Sequence, residues 1–361
     1  MRTRTGQAGA AVVTALMAMS MAACAGDDAA DTDGGFTVGL LLPSGAIPRW
    51  EHSDKPLIEK RIKELCPRCT LRYANAENDA TRQRDQVTSM ITKGAKVLIL
   101  DAADTRAIRS SIQEADRAGV PVVAYDRLAE GPISGYVSFN GAQVGRLQGA
   151  ALLKAMGPDA RGGTVVMMNG DPASPNAAWY RDGALSVLKG KVKIGREYET
   201  QGWSTDNAHA NMDAAIAALG PRRIDGVLAA NDAIAAGAVS ALKKAGVSEL
   251  PPVTGQDADL DAVRRIVAGE QTMTVYKPFQ AEASAAARMA VALGRGQTLD
   301  DIATTTTDSP TTEDIPTVLL APTPVTIGTI EPTLVDHGVY TVDQICTPAL
   351  RAACDRAGLT S

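Results

Sequence analysis

Aromatic side chains are scarce: three Trp, three Phe and seven Tyr make up 4 % of 361 residues. With so few flat apolar faces, the place of each Trp carries information. Histidine is equally rare, and His52, His209 and His337 are isolated, without the spacing of metal ligands. The acidic run "DADLDAVRR" (257–265) lacks the glycine and terminal Glu of a calcium loop. No metal and no other cofactor is expected. Neither charge sign dominates: 36 basic residues stand against 41 acidic ones, a net charge of −5 without a basic stripe. That excludes nucleic acid as the natural partner. G-x-S-x-G, Walker A and H-E-x-x-H motifs are all absent. After residue 24 no uncharged apolar run is long enough to span a bilayer.

The first residues read differently from the rest. "MRTRTGQ" supplies Arg2 and Arg4 without an acid, and "AGAAVVTALMAMSMAAC" runs apolar to Cys24. A short basic region, an apolar region and small residues before a cleavage point form a secretory signal, residues 1–23. "MAAC" resembles a bacterial lipobox, with Met21 where Leu is usual, so Cys24 is the expected lipid attachment point. The acidic, Gly-ended segment 24–35 reads as a flexible tether. The mature chain is therefore expected outside the cytoplasm, held to the membrane through a lipid anchor.

Four further cysteines form two close pairs, Cys66 and Cys69 in "CPRC", Cys346 and Cys354 in "CTPALRAAC". An even count in an exported chain favours two disulfides, most simply one within each pair. "CPRC" ends a helical pattern (53–65) rather than starting one, so it lacks the helix N-terminus that activates a redox thiolate. A shared zinc site would need ligands from pairs far apart in sequence, the second of them widely spaced.

At 45 % hydrophobic and 361 residues, the chain can bury more than one core. Aliphatic runs recur at 36–42, 70–76, 96–102, 120–126, 163–170, 193–199, 226–232 and 251–257. Helical periodicity fills 79–93, 105–118, 176–189, 206–219, 233–245 and 258–268, several stretches ending in Gly as C-caps do. Continuous apolar strands alternating with helices predict parallel sheets covered on both faces. The expected fold is α/β, two doubly wound lobes. The Thr-rich stretch 303–316 reads as a surface loop.

Ligands of open parallel sheets lie beyond the carboxyl ends of the strands. Polar and aromatic residues just after the apolar runs are Arg49 and Trp50, Asp126 and Arg127, Asn176, Trp203, Asn231, Asp257 and Lys277. Two indoles among guanidinium, ammonium, carboxylate and amide groups suit a pyranose, which has apolar C–H faces and a rim of hydroxyls. Asp232 reads as a helix cap, and Trp179 as helix packing or a rim residue.

At these residues a resemblance becomes specific. "PRW", "VAYDR", "YVSFN", "AANDAIAAGA" and "TGQDADLDAVRRIVAGEQTMTVYKP" resemble the bacterial xylose-binding proteins, type I periplasmic sugar-binding proteins of ABC transporters. The similarity covers nearly all of 36–335 and is sharpest over 254–278. It implies two lobes joined by three crossover strands near 138–142, 274–278 and 316–322. The implied lobes are 36–139 plus 278–316, and 140–277 plus 317–361. It also implies a monosaccharide ligand such as D-xylose, an ABC permease as partner, and a monomer. Carried over by position, Arg49 bonds hydroxyls and Trp50 stacks in the first lobe, joined by Asp126 and Arg127. Asn176 and the stacking Trp203 contribute from the second lobe, with Asn231, Asp257 and Lys277 as the remaining polar contacts. Two departures stand out: Ser174 where an Asp is usual, and Asn140 where an Asp is common. No candidate acid has an apolar sequence neighbourhood to raise its pKa, so a glycosidase is not expected. A repressor of related fold would begin with a helix-turn-helix. A sensor that signals to a membrane receptor is the second reading, since both roles use the outer faces of the lobes.

Overall fold

The computed structural model describes residues 34–45 and 47–359. The signal segment 1–23, Cys24 and most of the tether 24–35 lie outside the described residues.

Strand and helix alternate as the apolar rhythm predicts. The first half runs β1 (Thr37–Leu42), α1 (Lys55–Leu65), β2 (Thr70–Asn75), α2 (Ala80–Thr92), β3 (Ala95–Leu100), α3 (Arg109–Arg117), β4 (Val122–Tyr125) and β5 (Gly135–Phe139). The chain then crosses to a second sheet with α4 (Gly141–Met156), β6 (Thr164–Asn169), α5 (Pro175–Leu188), β7 (Lys193–Glu199) and α6 (Thr205–Leu219). β8 (Gly226–Ala229), α7 (Asp232–Lys244), α8 (Leu260–Val267) and β9 (Met273–Tyr276) complete that half. α9 (Phe279–Gly294), β10 (Thr305–Ser309) and β11 (Thr312–Leu320) return to the first. β12 (Thr323–Thr326), α10 (Val342–Ile345) and α11 (Arg351–Ala357) end the chain beside the second.

The larger sheet has seven strands in the order β10-β11-β5-β4-β3-β1-β2, parallel except for the β10–β11 pair. The second is β7-β6-β8, all parallel, and β9 pairs antiparallel with β12 alongside. This is the doubly wound α/β architecture expected. The chain passes between halves after β5, after β9 and between β11 and β12. The last passage follows Leu320, because β11 pairs with β5 as far as Leu320↔Phe139.

The elements form for local reasons. β1, β3 and β4 are almost wholly buried aliphatic runs, as strands covered on both faces must be. Asp79 opens α2 by accepting from the backbone N–H of Thr81 and Arg82. Gly94 and Gly119 follow α2 and α3 with φ of 76° and 70°, the left-handed stop that Gly tolerates best.

Two expectations fail. Residues 251–257 form no strand, only the single bridge Val227↔Val253 among the described residues. Pro251 and Pro252 have no N–H to donate to a ladder. The Thr-rich stretch 303–316 is not a loop but most of the β10–β11 hairpin. β-branched Thr favours the extended chain, and Pro310 sits at the turn.

Disulfides join Cys66 to Cys69 and Cys346 to Cys354. The C-terminal segment packs Ile330, Leu334, Ile345 and Leu359 against Val263, Ile266 and Val325. Helices α4 and α5 meet through glycine. A Cβ on Gly145 would lie 2.0 Å from the Tyr180 carbonyl oxygen and 2.7 Å from the Ala184 nitrogen. Alanine is the better helix former by about 1 kcal/mol, but these neighbours are backbone and cannot rotate away. Gly145→Ala is therefore expected to destabilise the fold by about 1–3 kcal/mol. Urea unfolding would show a lower midpoint at unchanged slope.

Candidate functional site

All nine residues singled out after the strands converge on one cavity. Its lining comprises Arg49, Trp50, Asp126, Arg127, Asn176, Trp203, Asn231, Asp257 and Lys277, with Ile47, Tyr180 and Gln256. Both sheets contribute, each through the carboxyl ends of its strands. The cavity measures about 20 Å³, room for roughly one water, because the polar groups close on one another.

Arg49 is the centre. It is buried, and its guanidinium lies between two rings, 4.0 Å from the Trp50 centroid and 4.2 Å from that of Phe279. It donates to Asp54 through Nε (3.0 Å) and Nη2 (2.7 Å), to Glu282 at 2.8 Å, and to Asp126 at 2.8 Å. Burial alone would lower its pKa; Asp54, Asp126 and Glu282 raise it well above the ordinary value. It stays charged at any relevant pH.

Asp126 joins the two sheets. Its Oδ1 accepts from Asn176 Nδ2 at 2.6 Å, and its Oδ2 lies 3.4 Å from Lys277 Nζ. Tyr136 and Ser138 hydroxyls donate to its carbonyl at 3.0 and 2.7 Å. Burial opposes ionisation here, yet Lys277, Arg49 and Arg127 outweigh it and hold the carboxyl at about 2. Lys277 Nζ lies 3.0 Å from Asp257 Oδ1. Burial lowers the Lys277 pKa, but Asp126 and Asp257 more than reverse this, so the ammonium is retained. Arg127 donates to the Ala102 carbonyl at 2.8 Å and pairs with buried Asp101 at 3.4 Å.

The aromatic walls are Trp50 and Trp203, both buried, with Tyr180 edge-on to Trp203 at 6.2 Å between centroids. Neither indole N–H has a hydrogen-bond partner among the described residues, nor do Asn176 Oδ1 and Gln256 Oε1. A Cβ on Gly170 would fall 2.0 Å from the Trp203 ring, so only glycine fits there.

Three cavity residues have left-handed backbone: Asp126 (φ 56°), Trp203 (φ 54°) and Asp257 (φ 98°). Such geometry is uncommon outside Gly and clusters at functional sites. Asp126 follows β4 directly, whereas Trp203 ends the short turn 201–203 after left-handed Gly202.

The sequence reading missed the groups behind Arg49. Asp54 and Glu282 are fully buried, and Tyr125 donates its hydroxyl to Asp54. Burial raises both carboxyls, as it does Asp101, although Arg49 and Arg127 pull the other way. Acids with raised pKa therefore stand nearby, but none of these three is a candidate ligand residue and none lines the cavity. A signal existed for Glu282, a lone acid in the Ala-rich run "FQAEASAAAR".

The remaining candidates sort cleanly. Asn231 caps α7, its Oδ1 accepting from the Ile234 N–H at 3.0 Å. Asp232 is not the cap; its carboxylate accepts from Gln271, Thr274 and the Asp259 N–H. Ser174 precedes α5, outside the cavity lining, with its buried hydroxyl unpartnered among the described residues. Asn140 caps α4 by accepting from the Gln143 N–H, a task an Asp performs equally. Trp179 packs on the start of α4, near Gly141, and lines a separate surface pocket.

Parallel sheets whose strand ends enclose one Trp-walled polar cavity define a ligand-capturing protein. The chain belongs to the periplasmic binding protein family, whose sequence model, described as "Periplasmic binding protein domain", matches residues 38–298. Members of that family bind substrates and are not enzymes. The D-xylose-binding periplasmic protein of Escherichia coli (strain K12) is 35 % identical over 309 residues, covering 84 % of this chain and 90 % of its own. The multiple sugar-binding periplasmic receptor ChvE of Rhizobium radiobacter is 32 % identical over 329 residues, 86 % and 92 % of the two chains. Among solved structures, an ABC transporter solute binding protein from Clostridium phytofermentans with bound β-D-glucose superimposes with a TM-score of 0.79 at 29 % identity. The match covers 86 % of this chain and 99 % of that one.

The Asp126 carboxyl ionises at about 2 in the folded protein, below the ~3.9 of an unfolded Asp. Its ionisation therefore stabilises the fold above about pH 4, and that contribution is lost as pH falls from about 4 to 2. The stability gap between wild type and Asp126→Asn should be widest above pH 4 and shrink across this window. Urea denaturation at a series of pH values measures it.

Proposed function

We propose that the protein captures a monosaccharide, an aldopyranose such as D-xylose or a close relative, and delivers it to an ABC importer. One observation carries this reading: two indole faces, two guanidinium groups, an ammonium, two carboxylates and three amides meet at one cavity joining both sheets. Indoles cover C–H faces, while the charged groups donate to and accept from hydroxyls. The printed names of the relatives and the glucose-bound neighbour support it.

Closure is the mechanism. The lobes, 36–139 plus 278–320 and 140–277 plus 321–361, part to admit the sugar and close over it. The pairing of β11 with β5 as far as Leu320 supports a boundary at 320, where the sequence suggested 316. Ligand hydroxyls replace the internal pairs Asp126–Asn176 and Lys277–Asp257 and so bias the closed form, which the permease reads. The unpartnered indole N–H groups gain acceptors at the same time. The protein works as a monomer outside the cytoplasmic membrane, anchored through lipidated Cys24. A sensing role is the second reading, favoured by the receptor named among its relatives.

Titration calorimetry against xylose, glucose, galactose, arabinose and ribose is expected to show one aldopyranose bound near micromolar Kd, about −8 kcal/mol, with its epimers much weaker. Silence across the panel would sink the sugar assignment. Asp257→Ala removes a charge-assisted partner worth about 1.5–3 kcal/mol, so affinity should fall roughly tenfold to a hundredfold. Trp203→Ala, which strips one stacking face, should weaken binding comparably while the fold survives. For the anchor, Cys24→Ser is expected to move the protein from the membrane to the soluble fraction. An unchanged distribution would remove the lipid.

A further inference from the structure

Asp257 reaches the cavity from a turn whose geometry L-residues avoid. Its φ is 98° and that of Ala258 is 54°, two consecutive left-handed residues without a glycine between them. Such a turn persists only where its surroundings over-determine it. Four hydrogen bonds do so. The Asp257 N–H donates to the Val275 carbonyl (2.9 Å), and the Ala258 N–H to Thr274 Oγ1 (3.1 Å). The Asp259 N–H donates to Asp232 Oδ2 (3.0 Å), and the Tyr340 hydroxyl donates to the Ala258 carbonyl (3.0 Å).

Three of these partners lie in the stretch up to β9 that builds the body of the second half. Tyr340 does not. It lies beyond β12, in the C-terminal segment closed by the Cys346–Cys354 disulfide. That segment is tied to α8, the helix that begins at Leu260 just after the turn. Arg264 donates to the Gln344 carbonyl through Nε (3.1 Å) and Nη2 (2.7 Å). Thr341 and Gln344 fix each other in a reciprocal capping box around α10. Tyr340 is thus a hydroxyl held by one rigid piece and aimed at the strained carbonyl of another.

We propose that Tyr340 is a positioning residue for the ligand site. By holding the Ala258 carbonyl it keeps the left-handed turn in place, and the turn aims the Asp257 carboxylate at Lys277 and at the bound sugar. The C-terminal segment thereby sets ligand affinity without touching the ligand. The inference rests on the reading of Asp257 as a ligand contact.

Tyr340→Phe keeps the ring and removes the hydroxyl. In the full-length protein, affinity for the sugar that wild type binds should fall about fivefold, the effect of one neutral hydrogen bond. Hydrogen exchange needs no ligand and reads the turn directly. Beyond Leu260, whose N–H loses the Tyr340 oxygen directly, only the Ala258 and Asp259 amides should exchange faster, by about fivefold. Their acceptors, Thr274 and Asp232, are untouched by the substitution. Unchanged exchange at both amides would overturn the proposal, even if affinity fell. So would faster exchange spread through α8 and the C-terminal segment with unchanged affinity, the signature of packing alone. If wild type bound no sugar of the panel, the functional reading would fail on its own, and local exchange would still decide whether Tyr340 positions the turn.

Discussion

The site is organised around one buried cation. A guanidinium removed from water is tolerable only when its charge is matched and its donors are used. Arg49 meets both conditions with Asp54, Glu282 and Asp126, and its faces are covered by Trp50 and Phe279. These partners come from the helical turn leading into α1, the start of α9 and the end of β4, far apart in sequence. Arg49 therefore pins three separate chain segments at one point. It also presents Nη1 to Asp126, the group through which the first sheet reaches Asn176 of the second.

Around this fixed point the charges are unevenly matched. Asp54, Asp101, Asp126, Asp257 and Glu282 face Arg49, Arg127 and Lys277, so carboxylates outnumber cations. Position decides which acids stay ionised. Asp126, within reach of all three cations, is held low. Asp54, Asp101 and Glu282 sit behind the guanidinium groups and are raised by burial. At the cavity Asp126 is therefore the ionised acid, while burial disfavours charge on the three acids behind it. A ligand hydroxyl meets an acceptor that is always ready.

Much of this was legible in the chain. Buried strands announce themselves as unbroken aliphatic runs, and Gly94 and Gly119 mark where helices stop. The strand-end rule placed Arg49, Asp126, Asn231 and Lys277 together because parallel strands present their carboxyl ends to one side. Asp54 was hidden in a helical pattern where an acid usually faces water, and Glu282 showed only as a lone acid in an Ala-rich run; tertiary packing buries both. The left-handed backbone of Asp126, Trp203 and Asp257 was equally hidden, since none of the three is a glycine. The proline pair 251–252 concealed the opposite error, an apolar run that reads as a strand but lacks its first two donors.

The β10–β11 hairpin has a meaning beyond the return of the chain. Without it, β5 would be the border of the larger sheet, a buried apolar strand offering an open row of amides and carbonyls. The hairpin covers that row and becomes the border in its place. β10 is poorly suited to accept another strand: it is short, largely exposed, and its register with β11 breaks between Thr307 and Ser309. Asp308 stands at the break, holding the N–H of Asp314, itself at a φ of 51°. Irregularity and charge at a border strand discourage a second chain from adding itself to the sheet. The Thr-rich segment is thus a guard against polymerisation, protecting a molecule whose apolar sheet would otherwise end in a template for its own copies.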